Sequence, residues 1–130
     1  MELVQNRIVT DDVPGVATFY AALAGVDVVL NDYYLEIPGL SLGFSQCRFS
    51  AFTRCQGEPG LRPGEMVLDF FVSDVDHEFE RIDRLGVDWV HPPTDQPWGA
   101  RAMIFRDPEG HAVNVFSRPD APVPCRQVAS

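Results

Sequence analysis

One order of predicted elements occurs twice along this chain, and that repeat limits the fold more than any other feature of the sequence. A strand is predicted at Leu3–Thr10, and the helix that follows it ends at Gly25. A second strand is predicted at Glu65–Val72, and the helix after it ends at Gly86. Short β-like runs follow both helices. The sequence therefore predicts two βαβββ modules and an α+β fold, because each helix has one apolar face to lay on a sheet.

The two modules also share residues at matching places. After Gly25 the chain reads V-D-V-V, and after Gly86 it reads V-D-W-V. A stretch rich in glycine and proline separates the halves and is typical of a linker. We therefore predict a single domain over residues 1–118, made of module 1 (1–55), a linker (56–64) and module 2 (65–118), followed by an extended tail at 119–130.

Shorter runs complete both modules. The predicted strands after the first helix are Val26–Leu30, Tyr33–Ile37 and Arg48–Thr53, with Ser41–Phe44 as a candidate extra piece. Those after the second helix are Val87–His91, Ala100–Phe105 and Ala112–Ser117. The helices are expected to bury the apolar residues that recur at helical spacing, which are Val16, Phe19, Tyr20 and Leu23 in the first and Val75, Phe79, Ile82 and Leu85 in the second.

Charge excludes one large class of function. The 130 residues include 19 acidic and 10 basic side chains, which give a formal net charge of −9. Nucleic-acid binding requires clustered lysine and arginine against the phosphates, so we expect no nucleic-acid partner. The same charge favours a cationic ligand over an acidic one, unless a local site overrides the field of the whole protein.

The cysteines and the apolar runs narrow the remaining classes. Cys47, Cys55 and Cys125 have no C-x-x-C spacing, so we predict neither a zinc site nor a disulfide framework, and we expect a reducing, cytoplasmic location. No apolar stretch approaches the roughly 18 residues of a membrane span, so no membrane partner is expected. The first residues lack the basic and apolar regions of a signal peptide.

Strand alternation predicts which side chains face away from the helices. In the strand that opens module 2, Leu68, Phe70 and Val72 would pack under the helix. The opposite face would carry Val67, Asp69 and Phe71 of this strand, Ala112, Asn114 and Phe116 of the last strand, and Gln5, Arg7 and Val9 of the first. Aromatic walls with a few polar groups are typical of a ligand-binding cavity.

Several residues near this face have two interpretations. Asp69 either forms an ion pair with Arg7 or Arg101, or accepts a hydrogen bond from an ammonium or hydroxyl group of a ligand. Trp98 either packs at the edge of the fold or stacks on a planar ligand. His91 ends a predicted strand, where the rim of the cavity would lie.

Four motifs follow one another in a specific order. Val13 to Gly25 forms the first, F-V-S-D-V-D at 71–76 the second, P-W-G-A-R at 97–101 the third and F-R-D-P-E-G-H at 105–111 the fourth. In these motifs the chain resembles the vicinal oxygen chelate superfamily, the group of glyoxalases, bleomycin-resistance proteins and extradiol dioxygenases. The resemblance implies that the two modules form a mixed sheet curled into a cup that holds a small ligand.

The resemblance also implies where a metal would bind. Metal-dependent members place ligands on three strands of the cup, at positions that fall on Gln5, Val67 and Asn114 in this chain. A divalent first-row ion prefers imidazole, thiolate or carboxylate ligands, and this set has none. The three histidines have no close partner at ligand spacing. We therefore predict no metal, no cofactor and no catalytic residue.

The expected function is metal-free binding of a small molecule. By resemblance to the bleomycin-resistance-like members, the cup would sequester an amphipathic or aromatic compound such as an antibiotic, and the net charge favours a cationic one. Two alternatives stay open. The first is an enzyme of the same fold, which would be a metal-dependent lyase or dioxygenase, or a metal-free catalyst that uses Asp69 or His91. The second is a non-catalytic interaction module. The predicted ligand contacts are Gln5, Arg7, Val67, Asp69, Phe71, His91, Trp98, Arg101, Asn114 and Phe116.

Because one module is too small to support itself, the two would bury a common surface or pair across a homodimer.

Overall fold

Among the described residues, helices and strands follow one another in the predicted order, except that the strand predicted at Val26–Leu30 does not form. The computed structural model describes residues 1–46, 61–96 and 99–118. Their elements are β1 (Glu2–Val9), α1 (Val13–Ala24), β2 (Tyr34–Ile37), β3 (Leu42–Ser45), β4 (Met66–Phe71), α2 (Val75–Asp83), β5 (Asp88–Asp95), β6 (Arg101–Arg106) and β7 (Ala112–Ser117). The predicted α+β class is confirmed.

The strands of the described residues form one curled mixed sheet, in the order β2-β3-β1-β4-β7-β6-β5. The first strand of each module has a parallel neighbour from its own half, since β1 pairs with β3 and β4 pairs with β7. The two modules meet where β1 and β4 pair in antiparallel fashion. The repeat in the sequence thus becomes a repeat in strand pairing, and the boundary between the modules runs through the sheet.

Three polar residues lie side by side across that boundary. Gln5 of β1 pairs with Asp69 of β4, and Asp69 pairs in turn with Asn114 of β7. Directly paired residues of neighbouring strands project to the same face of a sheet. The side chains of these three residues therefore emerge on one face, as the alternation pattern predicts.

Local signals in the sequence determine where the helices begin and end. Asp12 caps α1 by accepting a hydrogen bond from the backbone N–H of Gly15 at 3.0 Å. Gly25 ends that helix with a φ of 72°, a left-handed conformation that glycine adopts without steric cost. In α2 the side chain of Asp74 accepts from the backbone N–H of His77.

Both helices pack on the same face of the sheet, and the two apolar clusters beneath them form most of the core. The cluster under α1 comprises Val13, Ala17, Ala21, Leu35, Ile37 and Phe44. The cluster under α2 comprises Val72, Val75, Ile82, Met103, Phe105, Val113 and Val115. The other face carries a third, smaller cluster of Val9, Leu61, Val67, Ile104 and Ala112. Burial of these apolar surfaces stabilises the sheet from both sides.

The predicted apolar face of α1 is wrong in part. Phe19 and Leu23 are 61% and 71% exposed, whereas Ala17 and Ala21 are buried. The prediction is correct for Val16 and Tyr20, which pack partly against the cluster under α1. The small alanine side chains allow the helix backbone to approach the sheet closely, and Phe19 and Leu23 face outward.

The predicted apolar face of α2 is correct for Val75 and Ile82, which are buried, and for Phe79, which packs partly against the same cluster. Leu85 is exposed instead. The reason is that α2 already ends at Asp83, so Leu85 no longer lies at helical spacing from Ile82.

Two strand predictions in module 1 also change. Val26–Leu30 forms no strand, and Val29 is 91% exposed. The candidate piece at Ser41–Phe44 is a full strand, β3. The predicted strand Arg48–Thr53 and all three cysteines lie outside the described residues. In the described part of the chain, neither helix is long and apolar enough to cross a membrane.

Candidate functional site

A cavity of about 280 Å³ opens on the face of the sheet that the helices leave uncovered. Strands from both modules contribute to it. Its polar wall consists of Gln5, Arg7, Tyr34, Asp69 and Asn114, and Phe116 provides an aromatic side. The cavity therefore lies across the boundary between the modules, directly above the row of residues that the register brings together.

The carboxylate of Asp69 is the centre of the polar wall. Its Oδ2 accepts hydrogen bonds from Arg7 Nε and Gln5 Nε2, each at 2.9 Å. Its Oδ1 accepts from Arg7 Nη2 and from Asn114 Nδ2, each at 3.0 Å. Asp69 is only 3% exposed, so these four bonds replace the water that a carboxylate would otherwise require.

Arg7 balances the charge of Asp69 through two parallel hydrogen bonds, the strongest geometry for such a pair. Its remaining Nη1 donates to the hydroxyl of Ser45 at 2.8 Å. Burial by itself lowers the pKa of Arg7, but the charge and hydrogen bonds of Asp69 outweigh burial and raise that pKa above its ordinary value. Arg7 therefore stays ionised at neutral pH.

A chain of hydrogen bonds leads from this pair to the mouth of the cavity. Gln5 Nε2 also donates to the hydroxyl of Tyr34 at 2.8 Å, and Tyr34 donates to Glu36 Oε2 at 2.7 Å. Burial, together with the hydrogen bond to Glu36, raises the pKa of Tyr34 well above its ordinary value. Tyr34 consequently stays protonated and acts as a donor to Glu36.

The carboxylate also decides how the two amide side chains are turned. Because Asp69 can only accept, Gln5 and Asn114 must direct their NH₂ groups toward it. Reversing either amide would bring its oxygen against the carboxylate, which is unfavourable. As a result, Gln5 Oε1 and Asn114 Oδ1 are buried without a hydrogen-bond partner among the described residues.

Gly43 provides the space that Gln5 occupies. A Cβ atom at residue 43 would lie 2.7 Å from Gln5 Oε1, closer than side chains approach one another. Gly43 lies on β3, where it pairs with Arg7. The side chain of Gln5 extends over the backbone of β3 and donates to the hydroxyl of Tyr34 on β2. The lack of a side chain at residue 43 thus leaves the room that Gln5 needs in the polar wall.

The structure brings together half of the predicted contact residues. Gln5, Arg7, Asp69, Asn114 and Phe116 all line the cavity.

Two predicted residues lie beside the cavity rather than in it. Val67 is fully buried in the apolar cluster on the cavity face, where its neighbours include Val9 and Ala112. Phe71 packs edge-on against Phe116, with ring centroids 5.7 Å apart, and so supports the aromatic side. Trp98 lies outside the described residues.

Arg101 does not line the cavity. It donates to Asp76 at 2.8 Å and to Asp95 at 3.2 Å, near the surface of module 2. Of the two ion-pair partners predicted for Asp69, the structure therefore contains Arg7 and not Arg101.

His91 is buried on β5 and does not line the cavity either. Its Nδ1 lies 2.9 Å from the carbonyl oxygen of Pro92. Burial lowers the pKa of His91 to about 4, although the contact with the Pro92 carbonyl works in the opposite direction. His91 is thus neutral at pH 7.

Six residues that line the cavity were not among the predicted contacts. Three have small or apolar side chains, Val4, Ala100 and Ala102, and three are polar, Tyr34, Glu36 and Arg118. Among the polar ones, Tyr34 and Glu36 come first along the chain. A signal for the first two was present, because Tyr33–Ile37 was predicted as a strand. Leu35 and Ile37 are buried against α1, so alternation places Tyr34 and Glu36 on the cavity face. No comparable signal marks Arg118, which follows the last strand and lies 5.3 Å from the ring centre of Phe116.

The residues at the metal positions do not fit a divalent ion. Val67 has no donor atom, and the amides of Gln5 and Asn114 are held by Asp69. The described residues also contain no group of three or more histidine, cysteine, aspartate or glutamate side chains that could hold one. The cluster around Asp69 is already neutral, since Arg7 occupies the place where a cation would be needed.

Comparisons with known proteins agree with this fold. The family model described as the Glyoxalase/Bleomycin resistance protein/Dioxygenase superfamily matches residues 3–115. The uncharacterized protein YraH of Bacillus subtilis (strain 168) is 24% identical over 125 residues, covering 89% of this chain and 98% of that protein.

Two solved structures illustrate the likeness in fold. A protein from Legionella pneumophila described as an NAD-dependent benzaldehyde dehydrogenase has a TM-score of 0.65 at 20% identity, covering 88% of this chain and 99% of that chain. A glyoxalase/bleomycin resistance protein/dioxygenase superfamily member from Vibrio splendidus 12B01 has a TM-score of 0.60 at 13% identity, covering 88% and 97%. At these identities the likeness concerns the fold alone.

Replacing Arg7 tests the energetic importance of the buried pair. We expect Arg7→Met to lower the free energy of unfolding by about 3–5 kcal/mol, because it leaves the charge of Asp69 buried without compensation. Arg101→Met is the matched control, since its ion pairs are exposed and should cost about 1 kcal/mol or less. Urea unfolding followed by circular dichroism measures both, and equal losses in the two variants would contradict the role of Arg7.

Burial of neutral His91 predicts that stability falls in mild acid. Between about pH 6.5 and pH 4 the unfolded chain protonates this residue and the folded chain does not, so stability decreases as the pH falls through that window. The loss at pH 5 should reach at most about 2 kcal/mol and should disappear in His91→Gln. Urea unfolding at pH 7 and pH 5 measures it, with His77→Gln at an exposed position as the control. An unchanged pH dependence in His91→Gln would refute the assignment.

Proposed function

This chain belongs to the glyoxalase/bleomycin resistance protein/dioxygenase superfamily, and we propose that it binds and sequesters an amphipathic or aromatic small molecule without using a metal. An antibiotic is one candidate of this chemical type. The proposal concerns stoichiometric binding in the cavity above β1, β4 and β7, and it does not involve a chemical step.

One observation carries the proposal: the residues at the three metal positions bind Asp69 or pack in the core, and so cannot serve as metal ligands. Gln5 and Asn114 direct their amide groups to Asp69, and Val67 lies in an apolar cluster. A cation placed among them would face Arg7 and would have to break bonds that a buried carboxylate needs.

The shape and lining of the cavity support a small organic ligand. Its volume of about 280 Å³ lies near the lower end of the range usual for such sites. The ring of Phe116, supported edge-on by Phe71, offers a surface on which a planar group can stack. The opposite side is polar and fixes the orientation of the ligand.

The protonation states of the lining argue against acid–base chemistry. Asp69 accepts four hydrogen bonds, and Arg7 stays ionised beside it. Tyr34 stays protonated and donates to Glu36. A general acid or base requires a group that can change its protonation near the working pH, and Arg7 and Tyr34 do not meet that requirement.

We also propose that the protein is a homodimer located in the cytoplasm. Support for the dimer comes from α1 and the segment after it, which expose the large apolar residues Phe19, Leu23, Val29 and Leu30. Exposed apolar patches of this kind are typical of protein–protein contacts. Support for the location comes only from the cysteine pattern.

Binding in the cavity predicts a defined stoichiometry. In native mass spectrometry with naphthalene-1-methanamine, indole and 2-phenylethylamine, at least one compound should add once per chain. Phe116→Ala should weaken that binding about tenfold because it removes the stacking surface, while Leu85→Ala, at an exposed position, should not change it. Elemental analysis of the same untagged protein should find no stoichiometric divalent ion. Binding that requires such an ion would contradict the metal-free proposal.

The dimer predicts a mass in solution of twice the 14.5 kDa of one chain. Sedimentation equilibrium of the full chain measures it. Leu23→Glu should shift the equilibrium toward the monomer, because it places a charge in the apolar patch. Glu80→Gln on the exposed side of α2 serves as the control. A monomeric native protein would contradict the proposed dimer.

A further inference from the structure

Two charged side chains at the mouth of the cavity take part in no ion pair among the described residues. They are Glu36 and Arg118, which both line the cavity and are exposed. The other two charged residues of the lining, Arg7 and Asp69, are buried and compensate each other. A ligand can therefore meet uncompensated charge at the mouth of the cavity and not at its base.

The two charges stand on different walls of the cavity. Glu36 belongs to β2, and Arg118 directly follows β7. The strands β3, β1 and β4 lie between β2 and β7 in the sheet. Since neighbouring strands are about 4.8 Å apart, β2 and β7 are roughly 19 Å apart along the curled sheet. Side chains on walls so far apart suit the opposite ends of one ligand better than a single group of it.

The neighbours of each charge determine what else that end of a ligand would meet. The hydroxyl of Tyr34 donates to Glu36 Oε2 at 2.7 Å, which fixes one carboxylate oxygen and leaves Oε1 for a ligand. The guanidinium carbon of Arg118 lies 5.3 Å from the ring centre of Phe116. A group bound to Arg118 therefore lies beside the aromatic side of the cavity.

We propose that the cavity selects dipolar aromatic ligands, in which an ammonium group at one end pairs with Glu36, a carboxylate at the other end pairs with Arg118, and the ring between them packs against Phe116. This inference rests on the proposed binding function and adds the chemical class of the ligand. Every group that it invokes on the protein lines the cavity.

An ammonium group at Glu36 stays away from the charge of Arg7. The side chains of Tyr34 and Gln5 lie between them, since Gln5 donates to Tyr34 and Tyr34 donates to Glu36. The charge of Arg7 is in addition neutralised by Asp69. The ammonium site is thus distinct from the metal positions, where a cation would face Arg7 directly.

Ligands with a single charge are the main competitors. A cation that pairs with Glu36 leaves Arg118 unpaired and adds a like charge to the same mouth, and an anion at Arg118 does the same toward Glu36. Like charges brought together across a binding site lower affinity and so contribute to selectivity. The net charge of −9 attracts cations to the whole surface and does not by itself favour this cavity.

Four aromatic probes test the inference by isothermal titration calorimetry on the full chain: 4-(aminomethyl)benzoate, 4-methylbenzylamine, 4-methylbenzoate and 2-phenylglycine. We expect 4-(aminomethyl)benzoate to bind about fivefold more tightly than either singly charged probe, the upper end of what one exposed ion pair contributes. Its isomer 2-phenylglycine carries both charges on one carbon atom and should gain nothing over the singly charged probes. Equal affinity of 4-(aminomethyl)benzoate and any of the other three would overturn the inference.

Variants assign each end of the probe to its residue. Glu36→Gln keeps an oxygen for the hydroxyl of Tyr34, and it should weaken 4-(aminomethyl)benzoate about fivefold without weakening 4-methylbenzoate. Arg118→Gln should weaken the dipolar probe equally without weakening 4-methylbenzylamine. The matched controls are Glu80→Gln and Arg84→Gln, which change the net charge by the same amounts at exposed positions of α2 and just after it. Equal losses in the control variants would overturn the inference, because they would reflect the overall charge alone.

The same titrations separate this inference from the proposed function. If all four probes bind with one affinity, the cavity binds small molecules without selecting charges at both ends, and only the inference fails. If none of the four binds while a compound tested under the proposed function does, again only the inference fails. If none of the compounds in either set binds, both fail together.

Discussion

The buried ion pair of Arg7 and Asp69 is the interaction on which the rest of the site depends. Each module supplies one partner, from β1 and β4, so the pair lies where the two halves of the sheet join. A charge in this environment is tolerated only when it is compensated and fully hydrogen-bonded. The surrounding residues meet that requirement. Gln5 and Asn114 donate hydrogen bonds to Asp69, and Ser45 accepts one from Arg7 Nη1.

Because the buried ion pair must be fully hydrogen-bonded, the residues around it do not fit a metal and instead form the polar wall of the cavity. The amides of Gln5 and Asn114 cannot serve a cation while they donate to Asp69, and Val67 offers no donor atom. The oxygens of the same amides are buried without a partner among the described residues. The site thus combines a polar wall centred on Asp69 with the aromatic side formed by Phe116.

Much of the fold could be predicted because its signals are local. Aspartates cap both helices and Gly25 ends the first, as their spacing indicates. Period-two alternation correctly placed Arg7, Asp69 and Asn114 on one face. Where prediction failed, packing outweighed local preference: α1 contacts the sheet through its alanines, and the β-like run at Val26–Leu30 forms no strand.

The sequence by itself determined the repeat, the class of fold and the face on which most of the polar residues emerge, since each depends on the order and spacing of neighbouring residues. Only the tertiary structure decided that Asp69 pairs with Arg7 and not with Arg101, and that Tyr34 reaches Gln5 from the far side of β3. The physical reason is register. Which residues of distant strands lie side by side depends on how the whole sheet packs, and the directions of the amide oxygens follow from that pairing.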